Sequence, residues 1–209
     1  MHEILLVRHA QTDWNVEKRI MGAQPVALNA RGVLQAYKLA EFLRSHPIQA
    51  LYSSPHERAL QTAAVIAKGR ELSVIPEIQL REIEHGKWVG KTFAEIRALP
   101  GYKPYYESPE ISMGEVGESL LQVQERGVQF VESLRRQDPG PYVLVSHADW
   151  IKCVLMHYLR MPLIHLSKFR IDNASISYLH FTKKHERVIC INYGVDPSFT
   201  LSPEERGLG

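Results

Sequence analysis

The sequence predicts a three-layer α/β/α fold with a mainly parallel central sheet. Glu3 to Val7 and Tyr142 to Val145 are short, almost wholly apolar runs of strand length, which predicts strands buried on both faces. Helical patterns lie between them, and this alternation is typical of a parallel sheet with helices on both sides. At 209 residues the chain can bury a sizeable core, so we expect a single domain over residues 1–209.

Two helices in the first half are predicted from the residues that bound them. Ala30 to Ser45 follows Asn29, whose side chain suits an N-cap, and stops before Pro47. His56 to Lys68 ends at Gly69, a residue type that is common just past a helix C-terminus. Both helices are therefore expected to pack against the sheet.

Further elements follow in the second half. Capping-box spacing at Thr92 to Glu95 and at Ser119 to Gln122 predicts that a helix begins at each of these sites. The second helix is expected to run to about Gln137. Trp150 to Arg160 continues the second buried strand into a helix. Weaker strand candidates are Ala50 to Ser53, Ser175 to Phe181 and Arg187 to Tyr193, the last two as partners.

Residues 99–118 interrupt this alternation. The stretch holds three prolines, three glycines and Tyr102, Tyr105 and Tyr106 without a regular period. A connection of this length inside a compact domain is usually a functional lid, so we expect a lid-like insertion at about 99–118. Its tyrosines could stack on a substrate ring or anchor the loop, and anchoring is favoured.

Composition limits the partners and the compartment. The chain has 25 basic and 23 acidic side chains. This near balance of charge gives no electrostatic reason to expect binding to nucleic acid or to an anionic membrane. The apolar run Ile4 to Val7 is too short for a signal peptide or a membrane span. Cys153 and Cys190 have no Cys-x-x-Cys spacing and are expected to be reduced core thiols, so a cytoplasmic protein is predicted.

Two histidines directly follow strands, which is where open α/β sheets bind ligands. His9 comes after the first buried strand and His147 after the second. Arg8 precedes His9, and Arg58 lies in the first turn of a helix, where backbone amides favour an anion. Each histidine alone could be a satisfied buried residue, and a distant carboxylate could pair with the arginines. Together they favour a phosphate site.

Other site classes fit the sequence less well. The ten histidines show no His-x-x-x-His or Cys/His spacing, so no metal site is predicted. The Gly-x-Ser-x-Gly pattern of many serine hydrolases does not occur. The stretch His85 to Thr92 approaches a P-loop, but three residues separate Gly86 from Gly90 where four are required.

A series of motifs runs through most of the chain, from about Ile4 to Phe181. They are Arg8-His9-Ala10-Gln11-Thr12 with Asn15, Met21-Gly22, Leu28 to Ala36, Ser53-Ser54-Pro55 with Arg58, Ala59 and Thr62, Leu80-Arg81-Glu82 with Gly86 to Gly90, Gly117-Glu118-Ser119 with Arg126, Val145-Ser146-His147, and Asp172 to Ile176. In this order they resemble the histidine phosphatase superfamily, which includes the cofactor-dependent phosphoglycerate mutases and their phosphatase relatives. The resemblance implies a phosphoglycerate mutase-like fold and a single catalytic domain.

The resemblance also implies a role for each site residue. His9 would be the nucleophile that forms a phosphohistidine, and Glu82 would be the general acid and base. The implied catalytic residues are His9, Glu82, Arg8, Arg58 and His147. The implied substrate-binding residues are Arg8, Asn15, Met21, Gly22, Arg58, His147 and Ala148. No metal and no cofactor would be required, because phosphoryl transfer depends mainly on positioning and charge stabilisation.

Several positions leave alternatives open. Glu84 rivals Glu82, because residues i and i+2 of an extended segment point the same way. Ala10 and Ala148 replace the usual glycines, which would cause strain only at a positive φ. Asp149 replaces a small residue; it could face the pocket, but capping the following helix is favoured.

The predicted activity is hydrolysis of a small phosphorylated metabolite by a metal-independent phosphomonoesterase. The alternative is a cofactor-dependent phosphoglycerate mutase, although the dimeric mutases of the family are longer. A phosphate-binding protein without turnover is the third reading, and the complete set of Arg8, His9, Arg58, Glu82 and His147 argues against it. A homodimer is possible.

Overall fold

The computed structural model describes residues 1–100, 102–104 and 107–195. Its strands are β1 His2–Arg8, β2 Ala50–Ser53, β3 Val74–Pro76, β4 Pro141–Ser146, β5 Ser175–Phe181 and β6 Glu186–Gly194. They form one sheet in the order β3-β2-β4-β1-β5-β6. The pairs β3-β2, β2-β4 and β4-β1 are parallel, whereas β5 and β6 pair antiparallel. The mainly parallel sheet predicted from the sequence is confirmed.

Three of the described helices begin at caps predicted from the sequence, those of Asn29, Thr92 and Ser119. The helices of the described residues are α1 Asp13–Val16, α2 Ala30–Leu43, α3 Glu57–Ala67, α4 Phe93–Arg97, α5 Leu120–Leu134 and α6 Ala148–Tyr158. The Asn29 side chain accepts a hydrogen bond from the Gly32 amide at 2.8 Å. Thr92 and Ser119 both form complete capping boxes. Short polar side chains before apolar helices therefore define these helix starts, as expected.

Two apolar layers cover the sheet. Alternate residues of β1 point to opposite faces, so Leu6 packs in the layer under α5 and α6 while Val7 packs under α2 and α3. Trp150 of α6 lies in the first layer and Leu39 of α2 in the second, and both are fully buried. The three-layer arrangement is thereby confirmed.

The register of β1 and β4 brings their carboxyl ends together. Arg8 pairs with Ser146, and the His9 amide donates to the Ser146 carbonyl at 2.9 Å. The residues that follow these strands, His9 and His147, therefore lie side by side. Ser54, which follows β2, lies beside them, because its backbone amide donates a hydrogen bond to the Val145 carbonyl at 2.9 Å.

The end of the segment 99–118 packs closely against the backbone of Glu84 and His85 through two glycines. A Cβ on Gly117 would lie 1.9 Å from the Glu84 carbonyl oxygen, and one on Gly114 would lie 2.2 Å from that of His85. Tyr102 contacts Trp88 at a ring distance of 6.1 Å, whereas Tyr105 and Tyr106 lie outside the described residues. Within the described ranges, no helix is long and apolar enough to cross a membrane.

Candidate active site

His9 has one ring nitrogen fixed as a donor. Its Nδ1 lies 2.7 Å from the Ala10 carbonyl oxygen, which can only accept a hydrogen bond. Nδ1 therefore carries the proton, and Nε2 keeps the lone pair of a neutral imidazole. Burial, followed by the charges of Arg58 and Arg8, holds the His9 pKa well below its usual range. His9 is neutral at physiological pH.

His147 lies against His9, with ring centroids 5.1 Å apart. Its Nε2 is 2.8 Å from the Ser54 hydroxyl oxygen, and its buried Nδ1 has no partner among the described residues. Burial and Arg58 hold the pKa of His147 well below its usual range too. The structure thus joins two neutral imidazoles at the ends of β1 and β4.

Arg8 and Arg58 flank the imidazoles and have no ion-pair partner within the described ranges. Arg58 is 1% exposed, and its Nη2 donates to the Gly22 carbonyl at 2.9 Å. Arg8 donates from Nη1 to the Ile171 carbonyl at 2.6 Å. The Nε of each arginine is buried without a partner there. Guanidinium groups with a buried Nε and no ion pair among the described residues favour an anionic ligand over a structural ion pair.

A pocket of about 670 Å³ opens over this cluster. Its lining residues are Arg8, Asn15, Arg19, Ile20, Met21, Gly22, Arg58, Glu82, His85, Phe93, Arg97, Ala148, Asp149, Lys152, Arg170, Ile171 and Asp172. Of the predicted site residues, His9 and His147 are not part of this lining and are 1% and 0% exposed. Six basic and three acidic side chains line the pocket, so its net charge favours an anion.

Glu82 and Glu84 have different environments. Glu82 lines the pocket, whereas the Glu84 side chain is 58% exposed and pairs with Arg81 at 3.5 Å. Burial and then the charge of Asp149 raise the pKa of Glu82 to about 7, against the opposing effect of Arg58. A carboxyl with this pKa can donate and accept a proton near neutral pH.

The neutral groups of the site are oriented by their neighbours. The Asn15 side-chain oxygen accepts from the Thr12 amide at 3.0 Å and from the Asn173 side chain at 3.2 Å. The Asn15 NH2 group is thereby left as the donor of this pocket residue. Gly22 has a φ of +51°, and a Cβ there would lie 2.8 Å from a Val89 methyl carbon. Asn15 and Gly22 are therefore constrained by the fold.

The departures from the family pattern have two outcomes. Ala10 and Ala148 are absent from the described non-glycine residues with positive φ, so their methyl groups cause no backbone strain.

The expectation that Asp149 caps the following helix was wrong. α6 begins at Ala148, because the His147 carbonyl already accepts from the Ile151 amide at 3.0 Å, and His147 is the N-cap. Asp149 lies in the first turn and lines the pocket.

The structure adds residues to which the sequence analysis gave no role. The His56 ring lies 5.0 Å from that of His147, and burial together with Arg58 lowers the His56 pKa to about 4. His85 is buried and lines the pocket, and the Asn173 side chain donates to the His9 carbonyl at 3.0 Å. Each of these residues lies within or beside a recognised motif, which was the available signal.

In the ranges 1–100, 102–104 and 107–195, no group of three or more His, Cys, Asp or Glu side chains is arranged to hold a metal ion. The guanidinium charges of Arg58 and Arg8 lower the pKa of both imidazoles.

A neutral imidazole beside guanidinium groups that have no ion-pair partner among the described residues, at the carboxyl end of a parallel sheet, is typical of a histidine-based phosphoryl-transfer site. The chain belongs to the histidine phosphatase superfamily (branch 1), whose family model matches residues 4–194. This match confirms the family that the motifs predicted.

Individual relatives cover most of the chain. Phosphoserine phosphatase 1 of Hydrogenobacter thermophilus is 32% identical over 195 residues, which are 92% of each chain. The probable phosphoglycerate mutase GpmB of Proteus mirabilis is 31% identical over 190 residues, or 87% of this chain and 86% of the relative. The solved structure of phosphoserine phosphatase from Entamoeba histolytica with 3-phosphoglyceric acid has a TM-score of 0.81 at 30% identity, covering 92% of this chain and 97% of that one.

Proposed function

We propose that this protein is a metal-independent phosphomonoesterase that hydrolyses a small phosphorylated metabolite through a phosphohistidine. The observation that carries the proposal is the His9 imidazole, whose lone pair is fixed on Nε2 beside Arg8 and Arg58, each of which has a buried Nε without a partner among the described residues. Relatives named phosphoserine phosphatase support hydrolysis of small phosphate esters.

In the first step, His9 Nε2 attacks phosphorus and the ester P–O bond breaks. Arg8, Arg58 and His147 bind the non-bridging oxygens, and the Asn15 NH2 group adds a neutral donor. The Nε–H groups of both arginines have no partner among the described residues, and we assign them to these oxygens. Met21, Gly22 and Ala148 complete the wall around the substrate.

Glu82 moves the protons. Its carboxyl protonates the departing alkoxide, and the resulting carboxylate then takes a proton from the water that attacks the phosphohistidine. Hydrolysis returns His9 to the neutral form and Glu82 to the acid. A pKa of about 7 supports both roles, because the acid and the base are similarly populated near neutral pH.

Further basic side chains of the pocket indicate the class of substrate. Arg97, Lys152 and Arg170 line it in addition to the two arginines beside His9. We therefore propose a small phosphate ester that carries a second anionic group, such as a carboxylate. The relatives named after phosphoserine, and the one solved with 3-phosphoglyceric acid, support this class.

The mutase alternative uses the same pocket and returns the phosphoryl group to a second hydroxyl of the substrate. The relatives include probable phosphoglycerate mutases, at slightly lower identity than the phosphoserine phosphatase. The phosphatase is favoured because the chain matches that relative over 92% of both lengths, against 87% and 86% for the probable mutase.

The remaining proposals concern assembly and location. We propose a cytoplasmic homodimer in which the β6 edges of two copies pair. Ile189, Ile191 and Tyr193 on this strand are 51%, 36% and 50% exposed, and an apolar edge strand favours pairing with another chain. Neither nucleic acid nor a membrane surface is proposed as a partner.

A panel of phosphate esters assayed with a chelator present tests the activity. O-Phosphoserine, 3-phosphoglycerate, sugar phosphates and nucleoside monophosphates are each compared for wild type, His9→Ala and Glu82→Gln. We expect phosphate release that His9→Ala abolishes. Isomerised phosphoglycerate without phosphate release would establish the mutase, and activity that survives His9→Ala would refute the mechanism.

A further inference from the structure

The segment Gln79 to Glu84, which carries Glu82, contains no α-helix or strand. It begins in the 3₁₀ helix Ile78–Leu80 and ends before a second 3₁₀ helix, Gly86–Trp88. Side chains from neighbouring elements bind its backbone instead. The Ser146 hydroxyl donates to the Leu80 carbonyl at 2.7 Å, and the Trp150 indole donates to the Gln79 carbonyl at 2.7 Å. The position of Glu82 therefore depends on side chains distant in sequence.

Arg126 of α5 supplies most of these bonds. Its Nη1 donates to the carbonyl of Gln79 at 2.6 Å and to that of Arg81 at 2.9 Å. Its Nη2 donates to the carbonyl of Glu82 itself at 3.3 Å. One guanidinium thus holds three carbonyls of the segment, and its planar geometry fixes their spacing.

Glu118, the residue just before the N-cap of α5, holds this guanidinium in place. Its carboxylate accepts from Arg126 Nε at 2.9 Å and from Nη2 at 3.0 Å. The same carboxylate accepts from Arg81 Nη2 at 2.6 Å and from the Glu84 amide at 3.2 Å. The Arg126 and Glu118 side chains are 12% and 10% exposed, so these bonds are largely shielded from water.

We propose that Arg126 and Glu118 are positioning residues that hold the Glu82 carboxyl against the leaving-group oxygen of the substrate. Neither residue lines the described pocket, so both act through the backbone on either side of Glu82. The proposal rests on the proposed role of Glu82 as general acid. Displacing a catalytic group by about 1 Å costs on the order of 100-fold in rate, so the loss of these bonds is kinetically significant.

The leaving group distinguishes a positioning role from a structural one. An alkyl alkoxide needs a proton in order to depart, whereas p-nitrophenolate departs as a stable anion without help. We measure kcat/KM for p-nitrophenyl phosphate and for O-phosphoserine or 3-phosphoglycerate, whichever wild type hydrolyses faster. The ratio of the two values on one preparation is independent of the fraction of folded enzyme.

The variants are Arg126→Gln, Arg126→Lys, Glu118→Gln and Glu82→Gln. Arg135→Gln is the matched control, because it breaks the pairs of another arginine with Glu132 and Glu186, away from the pocket. Thermal unfolding of each variant is recorded alongside. The two milder substitutions, Arg126→Lys and Glu118→Gln, keep the test valid where Arg126→Gln folds poorly.

We expect Arg126→Gln and Glu118→Gln to lower kcat/KM for the alkyl phosphate about 10- to 100-fold and that for p-nitrophenyl phosphate less than about threefold. The kcat/KM of Arg126→Lys for the alkyl phosphate should lie between the values of these variants and that of wild type. Arg135→Gln should leave the ratio of the two kcat/KM values unchanged. Suppose that Glu82→Gln loses more kcat/KM on the alkyl phosphate than on p-nitrophenyl phosphate. The positioning role would then be overturned if the Arg126 and Glu118 variants lost kcat/KM equally on both substrates, or lost none. A Glu82→Gln form without that selectivity would instead refute the proposed acid.

Discussion

The raised pKa of Glu82 gives a prediction about the role of Asp149. Both carboxyls line one pocket, and the charge of Asp149 is the second cause, after burial, that raises the Glu82 pKa to about 7. Asp149→Asn removes this charge, so the carboxyl of Glu82 should ionise at lower pH. The protonated acid should then become scarce at a lower pH than in wild type.

The assay is the pH dependence of kcat/KM for an alkyl phosphate, which reports the ionisation of the free enzyme. Wild type should lose activity as the pH rises through about 7, where Glu82 deprotonates. On this alkaline limb, each fall of one unit in the Glu82 pKa lowers kcat/KM about tenfold. This loss corresponds to an increase of about 1.4 kcal/mol in the activation free energy. The acid limb is left out of the comparison, since the substrate phosphate itself ionises near pH 6.

Glu84→Gln is the control for Asp149→Asn. It also removes one carboxylate, but that side chain is exposed and is not among the groups that shift the Glu82 pKa. Its alkaline limb should coincide with that of wild type. If Asp149→Asn left the limb in place, or moved it to higher pH, the electrostatic coupling of Asp149 to Glu82 would be refuted.

Two further predictions concern stability and assembly. Because folding raises the pKa of Glu82 from 4.5 to about 7, the native state binds the extra proton, and stability falls as the pH rises through this window. Glu82→Gln should therefore raise the free energy of unfolding by about 3 kcal/mol at pH 8 and by little at pH 4, measured by urea denaturation. A gain that is equal at both pH values would contradict this linkage. Ile191→Lys should convert the proposed dimer to a monomer in size-exclusion chromatography with light scattering, while Lys183→Glu, in the turn before β6, should not; a wild-type monomer would rule out the dimer.

Most of the fold was predictable because its signals are local. Apolar runs identified β1 and β4, and short polar side chains such as Asn29 and Ser119 marked helix starts where their caps form. Strand β3, Val74–Pro76, was not predicted, since three residues give no usable period and its pairing with β2 is a long-range contact.

The anion-binding part of the site was also predictable from local sequence. Arg8 and His9 end one strand, His147 follows another, and Arg58 opens a helix after a third, so the geometry of a parallel sheet brings them together. The comparison with relatives then confirmed the family to which these motifs pointed.

The sequence by itself determined the class of fold, the strand-end histidines and the arginines beside them, because strand periodicity and helix caps act over a few residues. Only the tertiary structure decided that Glu82 and not Glu84 faces the pocket, and that Asp149 lies beside it. It also joined Arg126 to the backbone of Glu82 across 44 positions of sequence. Burial, charge proximity and hydrogen bonds between distant segments set these features, and no local pattern encodes them.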